Sequence, residues 1–289
     1  MILEETITLN NGVELPRLGL GTWEIADGDA AQAVRDAVEI GYRHVDTARD
    51  YMNEEGVGEG VRTCGIPREQ MFVTSKISAF AKDYDAAKEQ IEASLSATGL
   101  DYLDLMLIHA PEPWTEYREG KHFFKENLEV WRALEEAYEA GKLRAIGVAN
   151  FEREDLENLF NHAGIRPMVN QVLCHVSNTP TDLISFCRAN DVAVEAYSPI
   201  AHGVMLRNPA LAAMAERYGV SAARLCIRYC LQLGTIALPK TANPAHMADN
   251  ANVDFAISDE DMDALRAFAP IESYEEFGHF PVFGGKMTL

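Results

Sequence analysis

Positive charge is scarce in this chain. Its 25 Lys and Arg stand against 45 Asp and Glu, a net charge of −20 over 289 residues. A basic face for nucleic acid, or attraction to an anionic lipid surface, is therefore not expected. The acidity reads as solubility, with one consequence: an anionic cofactor or substrate would need a local basic pocket. Long apolar runs are also missing, and none approaches the roughly 20 residues of a membrane span. The opening segment MILEETITLN has neither a basic n-region nor an apolar h-region and does not read as a signal peptide. Cysteines are few, odd in number and scattered (Cys64, Cys174, Cys187, Cys226, Cys230), as expected for reduced thiols in a cytoplasmic protein. Cys226 and Cys230 lie four apart on an expected helix. Two thiolates without a His or carboxylate partner make a poor metal site, so core packing is the better reading and no metal is expected. Repeats, low-complexity segments and linkers are absent too, and residues 1–289 are expected to form a single domain. Finally, GLGTWE at 19–24 lacks the third glycine of G-x-G-x-x-G and the helix that should follow it, which counts against an open dinucleotide-binding sheet.

What is present is a regular alternation of strand and helix signals. ETITLN alternates, Asn11-Gly12 is a strong turn pair and VELPRLGLG follows, which predicts an N-terminal β-hairpin. Ala30, Ala33, Val34, Ala37 and Val38 then share one helix face behind Asp29, and Gly41 ends that helix. Strands are expected at RLGLG (17–21), YRHVD (42–46), MFVTSK (71–76), DLMLIH (104–109), LRAIGV (143–148), PMVNQV (167–172), VAVEAYS (192–198) and TIALPK (235–240). Helical patterns separate them, including a glycine-rich one at 53–62 and one marked by Leu128, Trp131, Leu134 and Tyr138. Helices near 244–250 and 259–268 precede a tail rich in Phe, Gly and Pro. Strict β-α alternation implies parallel strands with helical crossovers, and eight strands favour closure into a (β/α)8 TIM barrel.

Polar residues stand at the ends of consecutive strands: Asp46 ends the second, Lys76 the third and His109 the fourth. In a barrel these ends converge on one mouth, and Tyr51, in the loop past Asp46, can reach it. Taken singly, each has an ordinary explanation: a turn cap, a surface lysine, a core histidine, a packing tyrosine. Jointly those explanations weaken, because four such residues would have to occupy equivalent places by chance. A tyrosine near pKa 10 is a poor proton donor at neutral pH. A neighbouring ammonium lowers that pKa, a carboxylate keeps the ammonium charged, and a histidine can donate to a carbonyl oxygen. Such a group holds no reductant of its own, so a hydride cofactor is implied.

The segments GYRHVDTARDYMNEEGVG (41–58), VTSK (73–76), LDLMLIHAP (103–111), GVANF (147–151), NQV (170–172), AYSP (196–199) and LPKTANP (238–244) resemble, in order and spacing, those of the aldo-keto reductase family. The resemblance covers almost the whole chain. It implies an NAD(P)H-dependent reductase of aldehydes and ketones, with hydride from nicotinamide C4 and a proton from Tyr51. Lys76 would lower the pKa of Tyr51, Asp46 would pair with Lys76, and His109 would orient the carbonyl. Asn150 and Gln171 would hold the carboxamide, and Tyr197 would stack on the nicotinamide. Ser198, Lys240 and Thr241 would meet the phosphates, His246 would take the 2′-phosphate position and Asn250 would lie near the adenine. Thr22 and Trp23 would line the site at the first strand. The resemblance also suggests a monomer. A nucleotide-binding regulatory or scaffold protein with little turnover is the alternative, but a pure binder has no reason to keep the complete catalytic group.

Three departures from the family pattern matter. Ala149 replaces the usual serine before Asn150, removing one side-chain contact to the carboxamide. Ala110 replaces a tryptophan after His109, and Trp114 is close enough in sequence to refill that wall. His246 replaces an arginine, so an imidazole stands where a bidentate guanidinium would grip a 2′-phosphate. Asp249 nearby adds negative charge. Lys240 and Thr241 remain, so NADPH is still expected, with a weaker preference than usual and use of NADH as well. The tail at 271–289, with Tyr274, Phe277, Phe280 and Phe283, is expected either to pack on the barrel or to form a substrate loop over the mouth. The loop at 110–127, with His122, Phe123 and Phe124, is open in the same way. Glu112, Glu116 and Glu276 near the mouth argue against strongly anionic substrates.

Overall fold

A computed structural model describes residues 1–287. The hairpin pairs β1 (Thr6–Thr8) with β2 (Glu14–Pro16), with Ile7 opposite Leu15. It lies across the N-terminal ends of the later strands. Asn10 Nδ2 donates to the carbonyls of Pro167 and Asp191, and Asn11 Nδ2 donates to that of Arg144. Each of these carbonyls precedes a barrel strand, so the turn pair seen in the sequence also closes the bottom of the barrel.

Eight parallel strands follow: β3 (Leu20–Gly21), β4 (His44–Asp46), β5 (Phe72–Ile77), β6 (Leu105–Ile108), β7 (Ile146–Ala149), β8 (Val169–Leu173), β9 (Ala193–Tyr197) and β10 (Ile236–Leu238). They are hydrogen-bonded in sequence order. The sheet closes where Gly19 N donates to Ala237 O (3.0 Å), Ala237 N to Arg17 O (2.9 Å) and Gly21 N to Pro239 O (3.0 Å). The crossover helices are α1 (Asp27–Ile40), α2 (Glu54–Thr63), α3 (Tyr84–Thr98), α4 (Phe124–Glu139), α5 (Arg153–His162), α6 (Thr181–Ala189), and the pair α7 (Pro209–Arg217) and α8 (Ala222–Gln232). Two more, α9 (Pro244–Ala251) and α10 (Asp259–Arg266), follow β10. The architecture is the (β/α)8 barrel read from the sequence, with its hairpin and with the tail over the mouth. Several boundaries shift by one to three residues, most of them at strand ends; α1 begins at Asp27 rather than after Asp29, with the Asp27 carboxylate accepting from Gly56 N at 2.8 Å.

The glycines of α2 are explained by packing. A Cβ on Gly58 would lie 2.1 Å from the Thr98 carbonyl oxygen of α3, and one on Gly56 would lie 2.1 Å from the Asp27 carbonyl oxygen of α1. Both contacts are backbone against backbone, so only glycine fits. Cys226 and Cys230 are fully buried on the core face of α8. Among the described residues, no helix is long and apolar enough to cross a membrane.

Candidate active site

The strand ends carry the expected residues to one place. Asp46 closes β4, Lys76 lies near the end of β5, His109 follows β6, and Tyr51 ends a 3₁₀ turn (Arg49–Tyr51) just beyond β4. Lys76 Nζ donates to Asp46 Oδ1 at 2.6 Å, to the Thr47 carbonyl at 2.8 Å and to Tyr51 Oη at 3.3 Å. The Tyr51 and His109 rings meet edge to face, 5.6 Å between centroids. Lys76 is wholly buried. Burial acts to lower its pKa, but Asp46 and Tyr51 outweigh that and hold the ammonium above its ordinary value. Lys76 acts to lower the pKa of Tyr51, as expected, but the net shift is upward. Burial dominates, Lys76 offsets it only in part, and the phenol is pushed up to about 12.

A cavity of about 530 Å³ opens over this group and runs from Trp23 past Asn150, Gln171 and Tyr197 to Lys240. Gln171 Nε2 donates to Asp46 Oδ2 (2.8 Å) and Glu195 Oε2 (2.9 Å). Asn150 donates to the His109 carbonyl (2.9 Å) and accepts from Tyr197 Oη (2.7 Å). Ser198 lines the cavity, its hydroxyl 3.0 Å from His202 Nε2. Thr22 does not line it. Its hydroxyl is fully buried and donates to the Asp46 carbonyl, so it braces β4 from behind. Thr241, His246 and Asn250 also lie off the cavity wall. Thr241 Oγ1 accepts from Asn243 N, His246 is exposed on α9, and Asn250 is buried near the end of α9. Asp249 is turned to α8, where it accepts from Ser221 Oγ at 2.6 Å.

The remaining wall of the cavity is aromatic. Trp114 stands edge-on to His109 with centroids 5.3 Å apart and lines the cavity. Trp23 is surrounded by Phe277, Phe280 and Phe283 of the tail, at 5.7, 5.0 and 6.3 Å. These three phenylalanines line the cavity, whereas Tyr274 packs away from it, with its hydroxyl 2.9 Å from His175 Nε2. His122, Phe123 and Phe124 are not on the wall: Phe123 is buried, and His122 stacks on Phe124 and faces Glu154. The carboxylates that do line the cavity are Glu24, Asp46 and Asp50, rather than Glu112, Glu116 or Glu276.

Sequence reasoning missed a supporting shell. Asn53 accepts from Thr47 Oγ1 (2.6 Å) and donates to the carbonyls of Thr22 and Ile25. Glu54 accepts from Ser75 (2.6 Å) and Arg49 (3.0 Å). Lys82 and Asn127 hold the turn after His109 through the carbonyls of Ala110 and Pro111. Beneath Gln171 lie Glu195, pushed up to about 8 by burial and by Asp46, and His44, pulled down to about 4 by burial. The available signal was period-two alternation: His44 and Asp46, like Glu195 and Tyr197, are two apart on one strand and share its inner face.

The sequence pattern of the Aldo/keto reductase family matches residues 17–270. The glyoxal reductase of Bacillus subtilis (strain 168) is 42% identical over 267 residues, 92% of this chain and 93% of that protein. The 9,11-endoperoxide prostaglandin H2 reductase of Trypanosoma cruzi (strain CL Brener) is 42% identical over 261 residues, 89% of this chain and 88% of its own length. Among solved structures, the Bombyx mori aldo-keto reductase in complex with NADP superposes with a TM-score of 0.83 at 30% identity, covering 96% of this chain and 98% of that one. With the family pattern running from the first barrel strand past the last, this chain belongs to the aldo/keto reductase family.

Proposed function

We propose that Asp46, Tyr51, Lys76 and His109 are the group through which this chain, an NAD(P)H-dependent oxidoreductase, reduces aldehydes and ketones to alcohols. The observation that carries this reading is Lys76, which bridges Asp46 and Tyr51 inside the barrel mouth with His109 facing the same phenol. A carbonyl oxygen held between Tyr51 and His109 would meet two hydrogen-bond donors. Tyr51 passes its proton to that oxygen as the alcohol forms. Lys76 stabilises the phenolate left behind, and Asp46 keeps Lys76 charged. Bound NADPH supplies the hydride.

The residues present suit that cofactor. Gln171 Oε1 has no hydrogen-bond partner among the described residues and so can accept from a carboxamide. The Tyr197 ring forms part of the wall beside it. Lys240 and Thr241 lead into the N-terminus of α9, a favourable place for phosphate. His246 on the exposed face of α9 stands where the 2′-phosphate would be gripped, so NADPH is favoured weakly and NADH is also used. With Trp23, Phe80, Trp114 and the tail phenylalanines around it, and with Glu24, Asp46 and Asp50 as its carboxylates, the pocket suits apolar or aromatic carbonyl compounds and disfavours anionic ones. Residues 1–289 act as a single domain and a monomer in the cytoplasm, without a nucleic-acid or membrane partner.

The test is oxidation of NADPH and of NADH with a panel of neutral and anionic aldehydes, for the wild type and Tyr51→Phe. Turnover with neutral aromatic aldehydes that is lost in Tyr51→Phe is expected. Undiminished turnover in that variant would overturn the assignment of the proton donor.

A further inference from the structure

We propose that Asp50 is a positioning residue that sets the protonation of His109, so that His109 serves the carbonyl as an imidazolium rather than as a neutral imidazole. This rests on the reading of His109 as a donor to the carbonyl oxygen.

Asp50 immediately precedes Tyr51 in the 3₁₀ turn, and its carboxylate lines the cavity. Asp50 Oδ2 lies 3.3 Å from His109 Nδ1. Nδ1 is buried and, in this conformation, out of line for a hydrogen bond, so Asp50 is the anionic acceptor that a small rotation of either side chain would engage. One short turn therefore presents the proton donor on one side of the site and a carboxylate to the opposing histidine on the other.

A neutral imidazole has a single N–H, and its two nitrogens compete for it. A lone pair on Nδ1 would face a carboxylate, which is repulsive, whereas a proton there is stabilised. The favoured neutral tautomer thus carries hydrogen on Nδ1 and leaves Nε2 with a lone pair. A carbonyl oxygen is itself an acceptor, so that lone pair cannot serve it. Only a second proton makes Nε2 a donor, and Asp50 is placed to stabilise the resulting imidazolium. Burial and Lys76 on β5 hold the ring below its ordinary imidazole value, and Asp50 on the turn, with a smaller contribution from Asp46 on β4, is the main influence that favours the charged form against them. Tyr51 faces the ring as a neutral phenol, and Trp114 adds an edge without charge. Burial raises the pKa of Asp50, but His109, together with Ser78 and Trp114, outweighs it and holds the carboxyl below its ordinary value. No atom is gained or lost through His109: one hydride and the Tyr51 proton convert C=O to CH–OH, and the His109 proton stays on the ring.

The experiment is the pH profile of kcat/KM for 4-nitrobenzaldehyde with saturating NADPH, in wild type and Asp50→Asn. Above the imidazolium pKa the wild type should lose about tenfold in rate per pH unit, the slope of a single essential proton. In Asp50→Asn the amide can donate to Nδ1, which stabilises a neutral Nε2–H donor. The alkaline decline should then flatten, leaving the variant at least about tenfold higher than wild type at the alkaline end once each is scaled to its acid plateau. Profiles of identical shape would overturn the proposal. A second measurement, ¹⁵N NMR of the His109 ring, should show hydrogen on Nδ1 in the neutral wild type and on Nε2 in Asp50→Asn; an Nε2–H tautomer in the wild type would overturn it. Failure of the underlying reading looks different: His109→Gln would then keep the wild-type turnover and pH profile, whatever the tautomer observed.

Discussion

Asp46→Asn tests whether the buried ammonium is held by its carboxylate or merely lies beside it. Lys76 has no solvent exposure and its shortest contact is the 2.6 Å bond to Asp46 Oδ1. At that separation an effective dielectric constant of about 20 gives a gross attraction of roughly 6 kcal/mol. Desolvation of both charges cancels much of this, but removing one partner leaves the other buried and uncompensated, which costs about 3–5 kcal/mol. Asp46→Asn and Lys76→Met should each therefore lower the free energy of unfolding by about that amount, read from urea denaturation at neutral pH with unchanged m-values. The double variant should cost less than the sum of the two, with a coupling of up to about 3 kcal/mol, because neither charge is then stranded. Turnover should behave differently. All three variants should be impaired and the double variant should not recover, since nothing then stabilises the Tyr51 phenolate. Single-variant costs that add to within about 0.5 kcal/mol in the double variant would refute the ion-pair reasoning.

Three further outcomes are expected. His246→Arg should raise the ratio of kcat/KM for NADPH over NADH by about 1–2 kcal/mol, roughly five- to thirtyfold, through a charge-assisted pair with the 2′-phosphate; an unchanged ratio would place His246 away from that group. Glu195 should make stability fall as pH rises. Its folded pKa of about 8 lies above the ordinary carboxylate value, so between the two the folded state binds the extra proton. Glu195→Gln should flatten the decline in unfolding free energy between about pH 4.5 and 8, and a slope equal to wild type would show that Glu195 ionises freely. Gly58→Ala should destabilise by at least the about 1–3 kcal/mol of an overpacked site, since its methyl would meet the Thr98 backbone, and an unchanged melting temperature would contradict that contact.

The barrel and its four central residues were legible because their signals are local. An apolar strand followed by a polar residue recurs at Asp46, Lys76 and His109, and parallel topology turns that recurrence into proximity. Other features depend on orientation or on water exclusion, which spacing does not encode. Asp50 reads as a spacer before Tyr51 until the 3₁₀ turn sends adjacent side chains to different parts of one site. The pKa of Tyr51 was misjudged because the neighbour Lys76 is visible in the sequence while the depth of burial is not. Glu112, Glu116 and Glu276 were placed near the mouth by chain position alone, yet the carboxylates on the wall are Glu24, Asp46 and Asp50. Thr22 shows the opposite error: it is close in space to the site, but its hydroxyl points into the barrel wall.

The glycines of α2 bear on how exactness reaches the chemistry. Gly56 and Gly60 meet α1 and Gly58 meets α3, so the helix is keyed on both flanks like a tongue in two grooves. It starts three residues after Tyr51, and Asn53 between them is tied to the loop that follows β3. Sliding or rolling α2 would drive backbone into backbone before any side chain yielded. The phenol's address is thus written on the outside of the barrel, in residues with no side chain to offer. The tail, which meets Trp23 through aromatic edges, is free to diverge without shifting that address.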